Sequence, residues 1–271
     1  MTEPAVITSR KNEIIKKAAH LLSSASFRRE QNAFLAEGAR LCADAADSGL
    51  SIQSVFYTEK AAQKYAAYLE RILPVASQAF LISDSVGELL SDTKNSQGIF
   101  CVLGRPTVPK TAAAMQGQGC YIGLENLQDP SNLGAVLRTA EALGVSGVLL
   151  LGDCCDPYGP KALRAAMGAA FRLPMFFEPE FSACASVLQE KGLFTAAAVP
   201  DPAAQDITRT TFPNGTVLLI GNEGAGLTPQ TIAACNQRVT IPMLGRAESL
   251  NAASSAAILM WEMMRTRGDA V

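Results

Sequence analysis

Short apolar runs and amphipathic stretches alternate along the rear half of the chain. Residues 120–125, 145–152, 193–199 and 216–221 are apolar runs of the kind found in buried parallel strands. Between these runs, apolar positions follow helical spacing. Repeated strand–helix units of this type predict a parallel sheet covered by helices. The other predicted elements are strands at 172–178 and 238–243 and helices at 132–143, 159–170, 181–191, from Thr228, and at 251–266.

The front of the chain repeats both patterns in a smaller α/β module. Residues 104–119 then combine two prolines, three glycines and small side chains, which is typical of a linker. We therefore predict a first domain at 1–104, a linker at 105–118 and a second domain at 119–271. The elements predicted for the first domain are helices at 11–24, 32–48 and 61–72 and strands at 51–58, 79–83 and 98–104.

Composition excludes several classes of protein. With 48% hydrophobic and 18% charged residues, the chain has enough apolar material for packed cores and too little charge for disorder. It has no run of about 18 apolar residues for a membrane span, and no secretory signal is recognisable at its start. Seven cysteines, odd in number and without a C-x-x-C pair, indicate reduced thiols. These features predict a cytoplasmic protein that does not bind membranes.

The histidine count excludes histidine chemistry. His20 is the only histidine and falls in a predicted helix. A Ser-His-Asp or Cys-His mechanism would need it as the base, and no nucleophile motif such as G-x-S-x-G accompanies it. Cysteine and histidine also lack the spacing of a zinc site, so we predict no metal.

Basic residues gather near the start of a chain whose net charge is −2. The first thirty residues hold six lysines and arginines and three glutamates. A local basic cluster on an acidic protein indicates a polyanion partner, although solvated helix faces give the same count. Charge alone leaves this choice open.

Three loops follow predicted strand ends, where open parallel sheets bind ligands. They span 126–144, 219–227 and 241–258. Each loop also has a structural interpretation. Arg138 could form a surface salt bridge, Ser249 and Asn251 could cap the last helix, and the glycine-rich turn could merely reverse a strand or form a degenerate dinucleotide loop.

Taken together and in this order, the three loops resemble the motifs of a known family. DPSNLGAVLRTAEALG, LLIGNEGAGL and IPMLGRAESLNAASSAAIL are similar to motifs one, two and three of the SpoU (TrmH-type) RNA 2′-O-ribose methyltransferases of the SPOUT superfamily. This resemblance covers about residues 120–265. ITSRKNEIIKKAAHLL, FLAEGARL and SQGIF likewise resemble the substrate-binding domain that is often fused to these enzymes.

The resemblance implies a fold, a cofactor and partners. It implies a second domain tied in a trefoil knot, a rare exception to un-knotted topology, and a small first domain with a ribosomal-protein-like RNA-binding fold. The knotted loops would hold S-adenosylmethionine, and the active site would form between the subunits of a homodimer. The substrate would be a ribose 2′-hydroxyl in structured RNA, in large-subunit ribosomal RNA rather than in tRNA.

The resemblance also assigns site residues. S-Adenosylmethionine contacts are implied for Leu219, Gly221, Asn222, Gly226, Ile241, Met243 and Leu250. Catalytic or substrate-orienting roles are implied for Asn132, Arg138, Glu223, Ser249 and Asn251. From the basic cluster we add phosphate contacts by Arg10, Lys11, Arg28 and Arg29.

Methyl transfer to a ribose hydroxyl is compatible with these residues. Such an in-line displacement depends mainly on positioning the two reactants. The family's proposed base is the arginine at the position of Arg138, but a guanidinium stays protonated in proteins. We therefore expect Arg138 to orient the hydroxyl or a phosphate. Asn132 and Glu223 would hold Arg138 or the ribose, and Ser249 and Asn251 would close the pocket.

Two other functions remain open at this point. A Rossmann-type enzyme, such as an oxidoreductase, would use GNEGAG to hold a pyrophosphate. A non-catalytic RNA-binding or ribosome-assembly protein would carry a relic cofactor site. The roles of Arg246 and Glu248, either in RNA contact or in the dimer interface, are open as well.

Overall fold

The computed structural model describes residues 4–105 and 110–265. Within them, 4–105 and 158–171 form one compact unit, and the other described residues form a second. The predicted α/β class with a parallel sheet is confirmed. Among the described residues, no helix combines the length and the apolar character that a membrane crossing needs.

The first unit is built on a mixed five-stranded sheet. Its strands are β1 (Ala5–Ile7), β2 (Ala33–Glu37), β3 (Ile52–Tyr57), β4 (Ala79–Ile82) and β5 (Ile99–Gly104), paired in the order β1-β4-β3-β5-β2. β5 runs antiparallel to both β2 and β3, and the other pairs are parallel. The helices of its front segment are α1 (Glu13–Ser23), α2 (Ala25–Glu30), α3 (Ala39–Asp47), α4 (Glu59–Lys64), α5 (Ala66–Ile72) and α6 (Asp84–Leu90).

The helix predicted at 32–48 is wrong in its first part. Residues 33–37 form the buried strand β2, and the helix α3 begins only at Ala39. Gly38 separates the two elements with a φ of 110°, a conformation that favours glycine and interrupts a helix. A short apolar run such as this one cannot be assigned to helix or strand from its spacing alone. The elements β1, α2 and α6 were not predicted either.

The second unit contains a seven-stranded sheet in which every pair is parallel. Its strands are β6 (Tyr121–Glu125), β7 (Gly147–Leu151), β8 (Met175–Glu178), β9 (Phe194–Ala198), β10 (Gln205–Asp206), β11 (Thr216–Ile220) and β12 (Gln237–Thr240), in the order β10-β12-β9-β11-β6-β7-β8. The later helices are α7 (Pro130–Ala142), α8 (Pro160–Ala166), α9 (Ala169–Arg172), α10 (Ala185–Glu190), α11 (Pro229–Ala234) and α12 (Ala252–Arg265). The loops after β6, β11 and β12 therefore start from the same edge of the sheet.

Residues 158–171 pack with the first unit, although the predicted domain limits place them in the second. The Tyr158 and Phe171 rings lie 4.8 and 6.1 Å from the Phe34 ring on β2, and the Arg105 guanidinium lies over Tyr158. Burial of these rings explains why the segment joins the first unit.

The linker predicted at 105–118 falls partly on 106–109, which lie outside the described residues. Lys110 forms a parallel bridge with Phe176, next to the second sheet. Ala112 and Met115 are buried in the core of the second unit. From Lys110 onward, this stretch is therefore part of a packed structure.

Candidate active site

Side chains from all three loops join in one chain of hydrogen bonds. The Nδ2 of Asn132, on α7, donates to Oε1 of Glu223 at 3.0 Å. The Nδ2 of Asn251, just before α12, donates to Oδ1 of Asn132, also at 3.0 Å. Residues separated by about 90 and 120 positions in the sequence thus meet at the carboxyl edge of the sheet.

Glu223 forms the end of this chain on the glycine-rich turn. Its carboxylate also accepts hydrogen bonds from the backbone N–H groups of Gln128 and Asp129, at 3.2 and 3.0 Å. Burial by itself raises the pKa of Glu223, but the bonds from Asn132 and the backbone outweigh it, so the pKa lies below its ordinary value. Glu223 is therefore ionised at neutral pH, and it ties the first loop to the second.

The glycine-rich turn after β11 is closed by its own backbone. Asn222 and Gly226 exchange two N–H···O=C hydrogen bonds of 3.0 and 2.9 Å. A Cβ on Gly221 would overlap the backbone of Gly226 and Leu227, so only glycine fits there. Gly226 has a φ of 70°, which also favours glycine. The turn is rigid because of its own residues.

The side chain of Asn222 is engaged inside the protein. Its Oδ1 accepts from the N–H groups of Gly224 and Ala225, and its Nδ2 donates to the carbonyl of Asn126. Asn126 itself has a φ of 54°, a conformation that asparagine adopts more readily than most residues. Asn222 therefore shapes the turn, because both its side chain and its backbone N–H and carbonyl are engaged within the protein.

Sequence reasoning missed Glu125, at the end of β6. This carboxylate is only 4% exposed and accepts hydrogen bonds from Thr228 and Thr231, at the start of α11. Through these hydrogen bonds, Glu125 connects the segment that follows the glycine-rich turn to β6, at the centre of the sheet. The signal was an acid at the end of a buried apolar run, because such an acid needs partners.

A cavity of about 510 Å³ lies between the second and third loops. Six of the seven residues predicted to contact the cofactor line it: Gly221, Asn222, Gly226, Ile241, Met243 and Leu250. Glu223, Glu248 and Ser249 line it as well. Leu219 does not, because its side chain is fully buried in the core of the second unit.

The third loop is exposed along nearly its whole length, from Pro242 to Asn251. Asn251 ends it as the cap of α12, because its Oδ1 accepts from the N–H groups of Ala253 and Ser254 at 2.9 and 3.3 Å. Asn251 therefore caps the helix, as the sequence suggested it could, and also donates a hydrogen bond to Asn132, which the sequence did not predict.

Arg138 is the predicted site residue that stays apart from this group. Its side chain is exposed, and within the described residues no hydrogen bond or ion pair joins it to Asn132 or Glu223. Arg138 follows Asn132 by six positions on α7, which places the two roughly 120° apart around the helix. Within one chain, Asn132 is hydrogen-bonded to Glu223 and to Asn251. Neither Asn132 nor Glu223 forms a hydrogen bond with Arg138 in the described residues.

The predicted phosphate contacts divide into two kinds. Arg10, Lys11 and Arg29 are exposed. Arg28 is only 5% exposed, and its Nη1 donates to the carbonyls of Leu21 and Leu22 at the end of α1. This placement does not fit a phosphate contact, because the guanidinium is already used to satisfy the helix end.

Other reactive groups near the site are unsuited to act as nucleophiles. Burial, together with the nearby charges of Cys154 and Glu223, raises the pKa of the Cys155 thiol to about 12. All seven cysteines are free thiols. In the part of the chain that the structure describes, no group of three or more His, Cys, Asp or Glu could hold a metal ion.

Comparison with known proteins identifies two families along the chain. Residues 119–261 match the SpoU rRNA Methylase family, and residues 12–101 match the MRM3-like substrate binding domain. The first match contains all three loops of the site. The second lies entirely within the first unit.

Several bacterial proteins resemble nearly the whole chain. An uncharacterized tRNA/rRNA methyltransferase of Synechocystis is 30% identical over 96% of this chain and 94% of its own. A 23S rRNA (uridine-2′-O)-methyltransferase of Streptomyces viridochromogenes is 28% identical over 96% and 92%. The crystal structure of an AdoMet-bound rRNA methyltransferase from Sinorhizobium meliloti covers 97% and 98% at 27% identity, with a TM-score of 0.86. The protein belongs to the SpoU rRNA methylase family.

Proposed function

We propose that this protein transfers the methyl group of S-adenosylmethionine to a ribose 2′-hydroxyl of ribosomal RNA. The observation that carries the proposal is the hydrogen-bonded chain from Asn251 through Asn132 to Glu223, beside a cavity walled by the glycine-rich turn. The Streptomyces relative is named as a 23S rRNA 2′-O-methyltransferase, and the Sinorhizobium neighbour as an rRNA methyltransferase with AdoMet bound. Ribosomal RNA is favoured over tRNA for the same reason.

The cavity suits S-adenosylmethionine in size and lining. About 510 Å³ falls within the roughly 300–1,000 Å³ that is usual for small-molecule sites. The absence of a side chain at Gly221 lets the backbone of Gly226 and Leu227 pack against it and shapes the turn, and Ile241 and Leu250 add apolar surface to the cavity. Glu223 and Glu248 place negative charge near a cofactor that carries a positively charged sulfonium. The cofactor supplies the methyl group.

The residues of the site position the ribose. Glu223 acts as a positioning residue, because its oxygens are engaged by Asn132 and by backbone donors. Asn132 and Asn251 would each donate their remaining side-chain N–H to the ribose. The exposed hydroxyl of Ser249 would close the pocket around it. Arg138 would orient the hydroxyl or the adjacent phosphate through its N–H donors.

A homodimer would complete the site with Arg138 from a second copy. The apolar side chains of Trp261 and Ile258 on α12 are 56% and 38% exposed, and α12 packs against α7, the helix of Arg138.

We expect Trp261→Glu to convert a dimer into a monomer and to abolish methylation, because a carboxylate would be buried in an apolar interface. Sedimentation velocity measures this. A wild-type monomer with full activity would contradict the dimer.

Three further features belong to this proposal. The trefoil knot would bring the third loop back to α7, where Asn251 reaches Asn132. The exposed residues Arg10, Lys11 and Arg29 would contact RNA phosphates. A cytoplasmic location fits the seven free thiols, because disulfides are rare in that compartment.

The N-terminal contacts can be tested by the salt dependence of RNA binding. The double variant Arg10→Ala/Lys11→Ala should flatten the slope of log affinity against log salt by about 0.7–0.9 for each phosphate that the protein no longer neutralises. Lys64→Ala, which removes one exposed charge elsewhere in the first unit, is the control and should leave the slope unchanged. An unchanged slope in the double variant would remove these residues from the RNA interface.

The central experiment is methylation of ribosomal RNA by the purified protein, with mapping of ribose methylation in cells that lack it. We expect one 2′-O-methyl group in large-subunit ribosomal RNA to disappear from those cells. Asn132→Ala should bind RNA but methylate it at least tenfold more slowly, because it removes the hydrogen bonds to both Glu223 and Asn251. The absence of any ribose methylation by the wild type on ribosomal RNA and tRNA would overturn the proposal.

A further inference from the structure

A second cavity lies in the first unit, at the end of β2 and the start of α3. Its volume is about 410 Å³. Its lining combines the turn at Gly38, the loop of 93–97, and the last turn of α8 with Met167. The α8 segment belongs to the span of the SpoU match, whereas the turn and the loop belong to the substrate-binding match. Both parts of the lining nevertheless lie within the first unit.

The frame of this cavity is held by one carboxylate. Glu37 accepts hydrogen bonds from the hydroxyls of Ser91 and Thr93, at 2.6 and 2.8 Å, and from the N–H of Asp92, at 2.9 Å. Gln97 accepts from the N–H of Ala39 at 2.7 Å. These bonds fix the loop of 91–97 against the start of α3, so the cavity is formed before any ligand arrives.

The guanidinium groups of Arg40 and Arg164 line the cavity, and each has N–H donors that no described residue engages. Arg164 pairs through Nη2 with Asp92 at 2.7 Å, but its Nη1 is buried and has no hydrogen-bond partner in the described residues. A buried donor of this kind calls for an acceptor. Arg40 is exposed, and no hydrogen bond or ion pair engages its side chain within the same residues. Both groups suit a phosphate.

The remaining lining suits a base. Leu41, Leu163 and Met167 provide an apolar surface, and Met167 is 45% exposed with a φ of 51° that turns the chain at the end of α8. Asp44 offers a carboxylate that accepts hydrogen bonds, and no described residue engages it. A carboxylate pairs best with a base edge that carries two adjacent N–H donors, as guanine does.

We propose that this cavity binds one unpaired nucleotide of the substrate RNA, away from the methylated ribose, with a preference for guanine. Arg40 and Arg164 hold its phosphate, the apolar surface packs on its base, and Asp44 selects the base edge. Sequence-specific RNA recognition commonly uses unstacked bases of this kind. This inference rests on the proposed function, because it takes RNA as the substrate. It adds a specificity pocket whose lining contains none of the basic residues Arg10, Lys11 and Arg29.

The test uses the full chain and fluorescein-labelled RNA decamers of uridine, with or without one central guanosine. We expect the wild type to bind the guanosine decamer several times more tightly than the all-uridine one. Arg40→Ala should weaken its binding about tenfold, the usual loss for one charge-assisted hydrogen bond. Met167→Asp should weaken it at least as much, and aspartate is tolerated at a positive φ, so folding is preserved. Lys64→Ala is the charge-matched control.

Two further readouts separate this pocket from the rest of the protein. Asp44→Asn should remove the preference for guanosine without removing binding. With 6-thioguanosine at the centre of the decamer, cross-links should map to 38–44 or 161–172. If Arg40→Ala and Met167→Asp bind the guanosine decamer as the wild type does, the pocket is overturned, whether or not the protein methylates RNA. If the wild type shows no methylation but the variants lose binding, the proposed function fails and the pocket stands.

Discussion

The two walls of the proposed cofactor cavity are built in opposite ways. The turn of 221–226 is closed by its own backbone hydrogen bonds, and Asn222 fills it from within. The third loop, from Pro242 to Leu250, is exposed, contains no helix or strand, and carries a fully exposed Leu244. Both walls line the same cavity, yet only the first is fixed by local interactions.

This contrast suggests that the two walls have different roles in the site. A wall made of glycine backbone offers a fixed shape but few side chains, so it suits a cofactor that is the same in every reaction cycle. The exposed loop carries side chains such as Met243, Glu248 and Ser249, and its one fixed point is Asn251. Segments with few internal hydrogen bonds and little burial open easily, so we expect the third loop to become ordered on its ligands.

Replacing one glycine in each wall by alanine should give the largest difference in cofactor binding and in stability. Gly221→Ala forces a Cβ into the backbone of the turn, so we expect loss of S-adenosylmethionine binding and about 3 kcal/mol less free energy of unfolding. Gly245→Ala places its Cβ in open space and should change neither. Calorimetric titration and chemical denaturation measure both effects. Equal behaviour of the two variants would show that the walls do not differ in rigidity.

Two substitutions of Asn251 separate its roles as a cap and as a site residue. Asn251→Asp keeps an oxygen for the N–H groups of Ala253 and Ser254 but cannot donate to Asn132. We expect it to retain the stability of the wild type and to methylate about tenfold more slowly, as fits the loss of one hydrogen bond. Asn251→Ala should also lose about 1 kcal/mol of stability, the usual cost of a lost cap. A fully active aspartate variant would reduce Asn251 to a cap.

The smallest expected effect is the pH dependence that Glu223 gives to stability. Its pKa in the folded protein lies below the ordinary 4.5, so its contribution is present above about pH 4.5 and is lost as the pH falls through the folded pKa. Since the carboxylate is exposed, we expect less than about 1 kcal/mol. The difference in unfolding free energy between wild type and Glu223→Gln should therefore shrink between pH 6 and pH 3. A difference that grows toward low pH would contradict the assigned direction.

Local signals explain why parts of the second unit could be predicted. The apolar run before Gly221 has the composition of a buried parallel strand, and β11 lies at the predicted place. The helix α7 begins at Pro130 after the cap Asp129, two residues before the predicted start, and both residues are ordinary start signals. Asn251 likewise caps α12 as its position indicated. In each case the residues that decide the structure are neighbours in the sequence.

Other features depend on partners that the sequence does not name. Residues 33–37 became a strand because β5 pairs with them, and Arg28 is buried because the end of α1 needs donors. Glu125 acquires its partners from α11, about 100 positions later. Arg138 was grouped with Asn132 by motif, but the turn of α7 separates the two side chains within one chain.

The sequence by itself determined the class of fold, the glycine-rich turn and the three loops of the candidate site, because spacing, caps and glycines act over a few residues. Only the tertiary structure decided which side chains of those loops touch, that Asn222 and Leu219 serve the protein's interior, and that residues 158–171 join the first unit. Those outcomes depend on contacts between distant segments, whose geometry is set by how the sheets and helices pack.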